Sequence, residues 1–207
     1  MGKLRGHVIV LAGAVGLLAL APAVSAASPK WQLSDGAVQM ATGVPTFNFT
    51  IPDNARLLYS STIGASQFGA QDYNQTMSAT FTVQDVTAPF TYGGEPSCGG
   101  TTGNVRLAFE SITPGSKFAY TNYWWSDVAW TTLSNEGPIT LTSALNAASG
   151  WSDWNGQPSS SNVSAFTAAA SAVTAVGLSF GGGGFFENGV GTTDGSGNFT
   201  LNSFSVS

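Results

Sequence analysis

Residues 77–83, with the sequence MSATFTV, place an apolar residue at every second position. Successive side chains of a β-strand point to opposite faces of a sheet, so this pattern predicts a strand with one apolar and one polar face. The segments 47–51, 104–110, 139–142 and 176–180 repeat the pattern, and each is short and bounded by turn-forming residues. Such strands are typical of antiparallel sheets with one solvated face. We therefore predict a mainly β fold, a two-sheet antiparallel β-sandwich of the jelly-roll kind.

Other parts of the chain depart from simple alternation. Residues 199–201 have one alternation phase and residues 204–206 have the other, which predicts a bulge or a change of sheet within one strand. Residues 162–173 are rich in alanine and have apolar residues at helical spacing, which predicts one short α-helix. Residues 28–43 and 55–75 follow neither pattern, and we expect them to be irregular.

The N-terminus has the three parts of a secretory signal peptide. Basic residues Lys3 and Arg5 precede an uncharged apolar run over 8–21, and the small residues of 24–26 form a cleavage site. A retained membrane anchor is the alternative, but the apolar run is shorter than the roughly 20 residues of a spanning helix. We predict that residues 1–26 are removed, that 27–207 form a single domain, and that a bacterial host secretes it with no stable membrane insertion.

Charge, histidine and cysteine content exclude several classes of function. After residue 26 the chain has four basic and eleven acidic residues, a net charge of −7, which argues against nucleic acid and anionic membranes as partners. The single histidine, His7, lies in the predicted signal, so histidine-based catalysis and histidine-ligated metals are excluded from the exported domain. The single cysteine, Cys98, cannot form an internal disulfide, and it either stays a free thiol or pairs with another chain.

Carboxylates keep one catalytic class open, because glycoside hydrolysis requires two of them at a defined separation. Five acids lie in or beside patterned segments: Glu110, Asp127, Glu136, Asp153 and Glu187. The sequence does not show that any two of them face each other, and we assign no catalytic residue. We predict no cofactor, although acids and loop carbonyls could also bind a structural calcium ion.

The aromatic residues are the positive signal for binding. Five of the six tryptophans fall within residues 124–154. Neighbouring residues of a strand point to opposite faces, so at least one ring of residues 123–125 should point away from the core. Residues 151–156, with the sequence WSDWNG, resemble a loop, where core packing would not explain two tryptophans. Aromatic rings with polar neighbours suit sugars, although rings that fill the core or cover its ends are the alternative. The predicted ligand-binding residues are Tyr123, Trp124, Trp125, Asp127, Trp130, Trp151, Asp153, Trp154 and Asn155.

The layout of the C-terminal half resembles galactose-binding-like jelly-roll modules, which include carbohydrate-binding modules of bacterial secreted enzymes. The resemblance covers about residues 104–207: short strands, the alanine-rich helix, the segment AVGLSFGG at 175–182 and the closing GNFTLNSF at 197–204. It is a likeness of layout without a diagnostic motif, so no binding residue is transferred. It implies a β-sandwich, often with a structural calcium ion, that binds glycans on a sheet face or at loop tips.

Three hypotheses about function follow from these observations. The first is a secreted, non-catalytic carbohydrate-binding protein, whose partner is a glycan or polysaccharide bound at the aromatic-rich surface. The second is a carboxylate-based glycosidase or polysaccharide lyase on the same fold. The third is a structural or adhesive extracellular protein whose aromatic residues mediate self-association. Glycan binding without product release would support the first hypothesis, product release would support the second, and concentration-dependent oligomers would support the third.

Overall fold

The fold is known from a computed structural model. The model describes residues 29–34, 39–41, 44–49, 55–63, 75–92, 102–134, 136–182, 189–192 and 196–207. The predicted signal peptide, Cys98 and Glu187 lie outside these residues. None of the described helices is long and apolar enough to cross a membrane.

The described elements are almost all strands. In chain order they are β1 (Gln32–Leu33), β2 (Gln39–Ala41), β3 (Val44–Phe49), β4 (Leu57–Ser60), β5 (Thr76–Gln84), β6 (Phe90–Tyr92), β7 (Asn104–Glu110), β8 (Tyr123–Thr132), β9 (Glu136–Ala144), β10 (Trp151–Asp153), α1 (Val163–Ala170), β11 (Ala175–Gly181), β12 (Val190–Thr192) and β13 (Gly197–Val206). Two 3₁₀ turns, Tyr120–Asn122 and Ser159–Ser161, precede β8 and α1. The predicted mainly β class is confirmed, and so is a short helix within 162–173; residues 61–63 are helical as well, which the sequence pattern did not predict.

The strands form two large antiparallel sheets. The six-stranded sheet has the order β1-β4-β11-β7-β8-β10, and the five-stranded sheet has the order β2-β3-β13-β5-β9. Strands β6 and β12 pair separately. Every pairing between the described strands is antiparallel, as predicted. The jelly-roll type stays a prediction.

The core lies between the two large sheets. On β5 the apolar set of the alternating pattern, Met77, Ala79, Phe81 and Val83, is buried. Aromatic rings join the sheets; for example, the centroids of Phe47 on β3 and Phe180 on β11 lie 5.6 Å apart at right angles. One shared cluster of buried side chains therefore holds the two sheets face to face.

Helix α1 packs against the inner side of the six-stranded sheet. Its buried Phe166 contacts Phe109 of β7, with ring centroids 5.7 Å apart, and Trp124 of β8 at 5.0 Å. The helix presents the apolar side chains Phe166, Ala169 and Ala170, and it covers rings that would otherwise be exposed at this part of the core.

The last strand changes phase as the sequence predicts. Its pairing with β5 shifts between Leu201 and Ser203, which is a β-bulge. Two other expectations were wrong, because β1 and β2 lie within 28–43 and β4 lies within 55–75. Strand β4 lacks an alternating pattern because both of its faces are buried over Leu57 and Leu58.

Candidate functional site

The outer face of the six-stranded sheet, turned away from the core, has an apolar surface of its own. On β7, Leu107 and Phe109 belong to the core, so Arg106, Ala108 and Glu110 face outwards. Strand pairing places one residue of each strand in a row across this face: Gln32, Tyr59, Gly177, Ala108, Trp125 and Ser152. Leu57, Ala108 and Trp125 form a second buried cluster, and Tyr59, Tyr123 and Trp154 pack against it. We call this surface the outer face.

Trp154 lies over the outer face because β10 ends just before it. Residues 151–153 form a strand rather than the predicted loop, paired with residues 124–126 of β8. The carboxylate of Asp153 accepts hydrogen bonds from the backbone N–H groups of Asn155 and Gln157, at 3.0 and 2.9 Å, and so closes the turn after the strand. The ring of Trp154 then packs on Trp125, with centroids 5.3 Å apart.

Four rings in contact lie beside this point, two exposed (Phe118 and Tyr120) and two partly buried (Tyr123 and Trp154), and we call them the aromatic cluster. The centroid of Phe118 lies 5.3 Å from Tyr120, 5.4 Å from Tyr123 and 5.6 Å from Trp154. Phe118 is 58% exposed and Tyr120 is 51% exposed. Rings at these distances are in mutual contact, and the contacts of Phe118 with Tyr120 and Trp154 are edge-on, so the cluster forms a continuous apolar patch rather than an open cage. Exposed apolar patches of this kind mark binding sites.

The structure brings part of the predicted site together. Tyr123 and Trp154 belong to the aromatic cluster, and the exposed Asn155 lies in the turn beside Trp154. Trp125 points away from the core as predicted, but Trp154 covers it and only 1% of it is exposed. Phe118 and Tyr120 were missed, although two aromatic residues in the polar segment 111–122 were a signal for them.

Three predicted site residues are buried instead of lying on the exposed surface: Trp124, Trp151 and Asp153. Trp124 and Trp151 are buried between the sheets, because their strand positions place them on the inner face with Phe109 and Phe166. Their indole N–H groups donate to the carbonyl oxygens of Thr121 and Ala144, each at 2.8 Å. Asp153 is 3% exposed and holds its turn.

A second group lies further along the outer face, around Arg106. Its guanidinium lies 5.5 Å from the ring centroid of Trp130, and its Nη1 lies 3.4 Å from Oδ1 of Asp127. The other carboxylate oxygen of Asp127 accepts a short hydrogen bond from the hydroxyl of Ser152. Burial lowers the pKa of Arg106 to about 10, against the opposing effect of Asp127, so the side chain stays cationic at neutral pH. Trp130 is 44% exposed.

Glu110 lies on the outer face in register with the aromatic cluster. It lies opposite Tyr123 across the β7–β8 pair and opposite Ala175 across the β7–β11 pair. Burial of the carboxyl group raises its pKa to about 7, so protonated and ionised forms coexist at neutral pH. A carboxylic acid in this state can donate or accept a hydrogen bond.

The described residues contain no group of three or more His, Cys, Asp or Glu side chains placed to hold a metal ion. Glu110 and Asp127 of the outer face lie in separate groups, one beside Tyr123 and one beside Arg106.

No protein-family model, curated protein or solved structure matches the chain. The fold and the site therefore define its class: a mainly β protein of two packed antiparallel sheets, with an aromatic cluster exposed on the outer face of one sheet.

Proposed function

We propose that this protein is a secreted carbohydrate-binding protein that binds a neutral glycan on the aromatic cluster without altering it chemically. The observation that supports the proposal most strongly is the exposure of Phe118 and Tyr120 next to Tyr123 and Trp154. Rings that serve only the core would be buried, as Trp124 and Trp151 are.

Sugar chemistry matches this surface. A pyranose ring has an apolar C–H face, which packs on an aromatic ring, and hydroxyl groups at its rim, which need hydrogen-bonding partners. The exposed side chains of Lys117, Asn155 and Gln157 lie in the segments that bear Phe118 and Trp154 and could provide such partners. Only 8% of the residues of the chain are charged, so uncharged hydroxyl-rich ligands suit it better than ionic ones.

The cluster is also preorganised. Each of its four rings contacts at least one other, and the backbone N–H of Trp154 donates to the carbonyl oxygen of Tyr120 at 3.3 Å. Strand β8 provides Tyr123, and the turn held by Asp153 provides Trp154. Because the side chains of the aromatic cluster are already ordered, they lose little conformational entropy when a ligand binds, and this favours affinity.

The test is a panel of soluble neutral polysaccharides, comprising a β-1,4-glucan, a xylan, a glucomannan, an α-1,4-glucan and a galactan. We expect at least one of them to retard the protein in affinity electrophoresis and to change its tryptophan fluorescence. Trp154→Ala should weaken that binding by about tenfold or more, because it removes the ring that contacts both Phe118 and Tyr123. Calorimetric titration of wild type and variant measures the change.

Trp31→Ala is the matched control. Trp31 is also partly buried and in an edge-on ring contact, with Phe204 at 5.4 Å. It precedes β1, which is four strands from β8 in the sheet order, or about 19 Å. Its replacement should leave glycan affinity unchanged. Failure of the whole panel to bind would reject the proposal, and oligomers that form with concentration and dissociate in Trp154→Ala would favour the adhesive alternative.

A second candidate function, a glycosidase or lyase, is favoured by Glu110. Glu110, whose pKa is near 7, lies beside the aromatic cluster and could act as a proton donor to a bound glycan. This candidate predicts the release of new reducing ends from a bound polysaccharide, and their loss in Glu110→Gln. Binding without product release would exclude it.

A further inference from the structure

We infer that the glycan site is an extended strip along β8, from Trp130 to the aromatic cluster, and that it takes a linear chain of several neutral sugar residues rather than one terminal sugar. This inference rests on the proposed function and adds to it the length and charge of the ligand.

The register of β8 against β7 determines where the aromatic residues of β8 lie along the sheet. Trp130 pairs with Arg106, Trp125 pairs with Ala108, and Tyr123 pairs with Glu110. Trp130 is five positions after Trp125 on β8, but their partners are only two positions apart on β7, because β8 bulges between them. The bulge therefore brings Trp130 closer to Trp125 along the strand axis than a regular strand would. Both rings lie on the outer face, so Trp130 is on the same face of the sheet as Trp154, which covers Trp125.

The ring of Trp130 is held in place by Arg106. The guanidinium of Arg106 lies against its ring at 5.5 Å, and Arg106 is fixed by Asp127 at 3.4 Å and by the carbonyl oxygen of Ser126 at 3.4 Å. Asp127 is fixed in turn by the hydroxyl of Ser152 on β10. A tryptophan that stacks on a guanidinium on one side and remains 44% exposed has ring surface left for a ligand.

The positions of the pairing residues on β7 set the length of the strip. The positions of Arg106 and Glu110 on β7 mark the two ends of the strip, and four residues of an antiparallel strand span about 14 Å. This distance exceeds the size of one pyranose ring and matches a short run of linked sugars. A ligand that contacts both Trp130 and Tyr123, the ring opposite Glu110, must therefore be an oligosaccharide.

The charged side chains along β7 favour a neutral ligand. Asp127 balances the positive charge of Arg106, so this end of the strip offers no unpaired cation for a sugar acid. Glu110 lies at the other end, and its ionised form would repel an anionic ligand. The exposed Lys117 beside Phe118 would attract an anionic ligand, but along β7 the pairing of Arg106 with Asp127 and the ionised form of Glu110 favour a neutral chain.

The experiment measures affinity against chain length. Calorimetric titrations use β-1,4-gluco-, β-1,4-xylo- and α-1,4-gluco-oligosaccharides of one to six residues, together with the polysaccharides above. In the series that binds, we expect affinity to rise with length up to about three or four residues and then to level off. Trp130→Ala should weaken binding of the longest oligosaccharide by about tenfold and leave the shortest ligand that binds unaffected.

Val128→Ala is the matched control, since Val128 lies in the same bulge, is 64% exposed and makes no part of the strip. Because both residues are exposed, both variants should fold, and thermal unfolding verifies this. Affinity that does not depend on length, or that Trp130→Ala leaves unchanged for every oligosaccharide, would overturn the strip while leaving the proposed function intact. Loss of binding in Trp154→Ala only would indicate a site for a single sugar. Absence of binding to every glycan would reject both proposals.

Discussion

Replacement of Gly177 by alanine is expected to lower the free energy of unfolding by about 3 kcal/mol or more, which corresponds to a fall in Tm of roughly 6–12 °C. Gly177 lies in the central strand β11, opposite Tyr59 of β4 and Ala108 of β7. A Cβ at this position would overlap the carbonyl oxygen of Leu58 and lie 2.8 Å from the Cα of Tyr59. These atoms belong to the backbone, so they cannot move aside without displacing β4 from the sheet.

Gly137→Ala is the control for this prediction. Gly137 lies in β9, and a Cβ there would meet no atom within 4 Å. Its replacement should change the free energy of unfolding by less than about 1 kcal/mol, in either direction. Urea unfolding of wild type and both variants gives the comparison. Equal midpoints for Gly177→Ala and wild type would show that β4 adapts, and would contradict the close approach of the two strands.

The shift of β4 should also affect the outer face. Tyr59 and Leu57 of β4 pack against the cluster that contains Ala108 and Trp125. A displaced β4 would therefore loosen the support below Trp154. The central glycine of this sheet thus connects the stability of the fold with the geometry of the proposed binding surface.

Alternation in the sequence predicts strands only where one face is polar. Strand β5 satisfies this condition, and its apolar set was identified correctly. Strand β4, with the sequence LLYS, does not, because Leu58 enters the core while Leu57 packs on the outer face. A strand with two apolar surroundings loses the period of two, and no local signal replaces it.

The site was predicted in part for a related reason. The sequence shows that aromatic residues are concentrated in one region, but the direction of each ring depends on strand pairing. Trp124 faces the core because its partner is Phe109, whereas Trp125 faces outwards because its partner is Ala108. The bulge that brings Trp130 near Trp125 is likewise a property of the pairing between β7 and β8. Pairing over long sequence distances cannot be obtained from the local pattern.

Replacement of Glu110 by glutamine is expected to raise the free energy of unfolding at pH 8 by about 3 kcal/mol relative to wild type. Burial raises the pKa of Glu110 from 4.5 to about 7 in the folded protein, because the ionised carboxylate loses its hydration there. Glutamine has a similar shape and no charge, so it avoids this cost.

The sign of the pH dependence follows from proton binding. Between pH 4.5 and about pH 7 the folded protein holds the proton of Glu110 more tightly than the unfolded chain does. Stability from this group is therefore fully present below pH 4.5, falls as the pH rises, and is lost above about pH 7. Urea unfolding at pH 5, 6, 7 and 8 should show wild type and Glu110→Gln diverging by about 3 kcal/mol over this range.

Glu136→Gln is the control, since Glu136 is exposed on β9 and its carboxylate accepts a hydrogen bond from Ser134. This variant removes one carboxylate charge at an exposed position, so it controls for the change in net charge alone. Wild type and Glu110→Gln curves that stay parallel from pH 5 to pH 8 would mean that solvent reaches the carboxyl group of Glu110. Water would then compete for the outer face at the position opposite Tyr123. The same series of unfolding measurements therefore tests whether the packing of β7, β8 and β11 excludes water from the carboxyl group of Glu110, at the end of the proposed glycan strip.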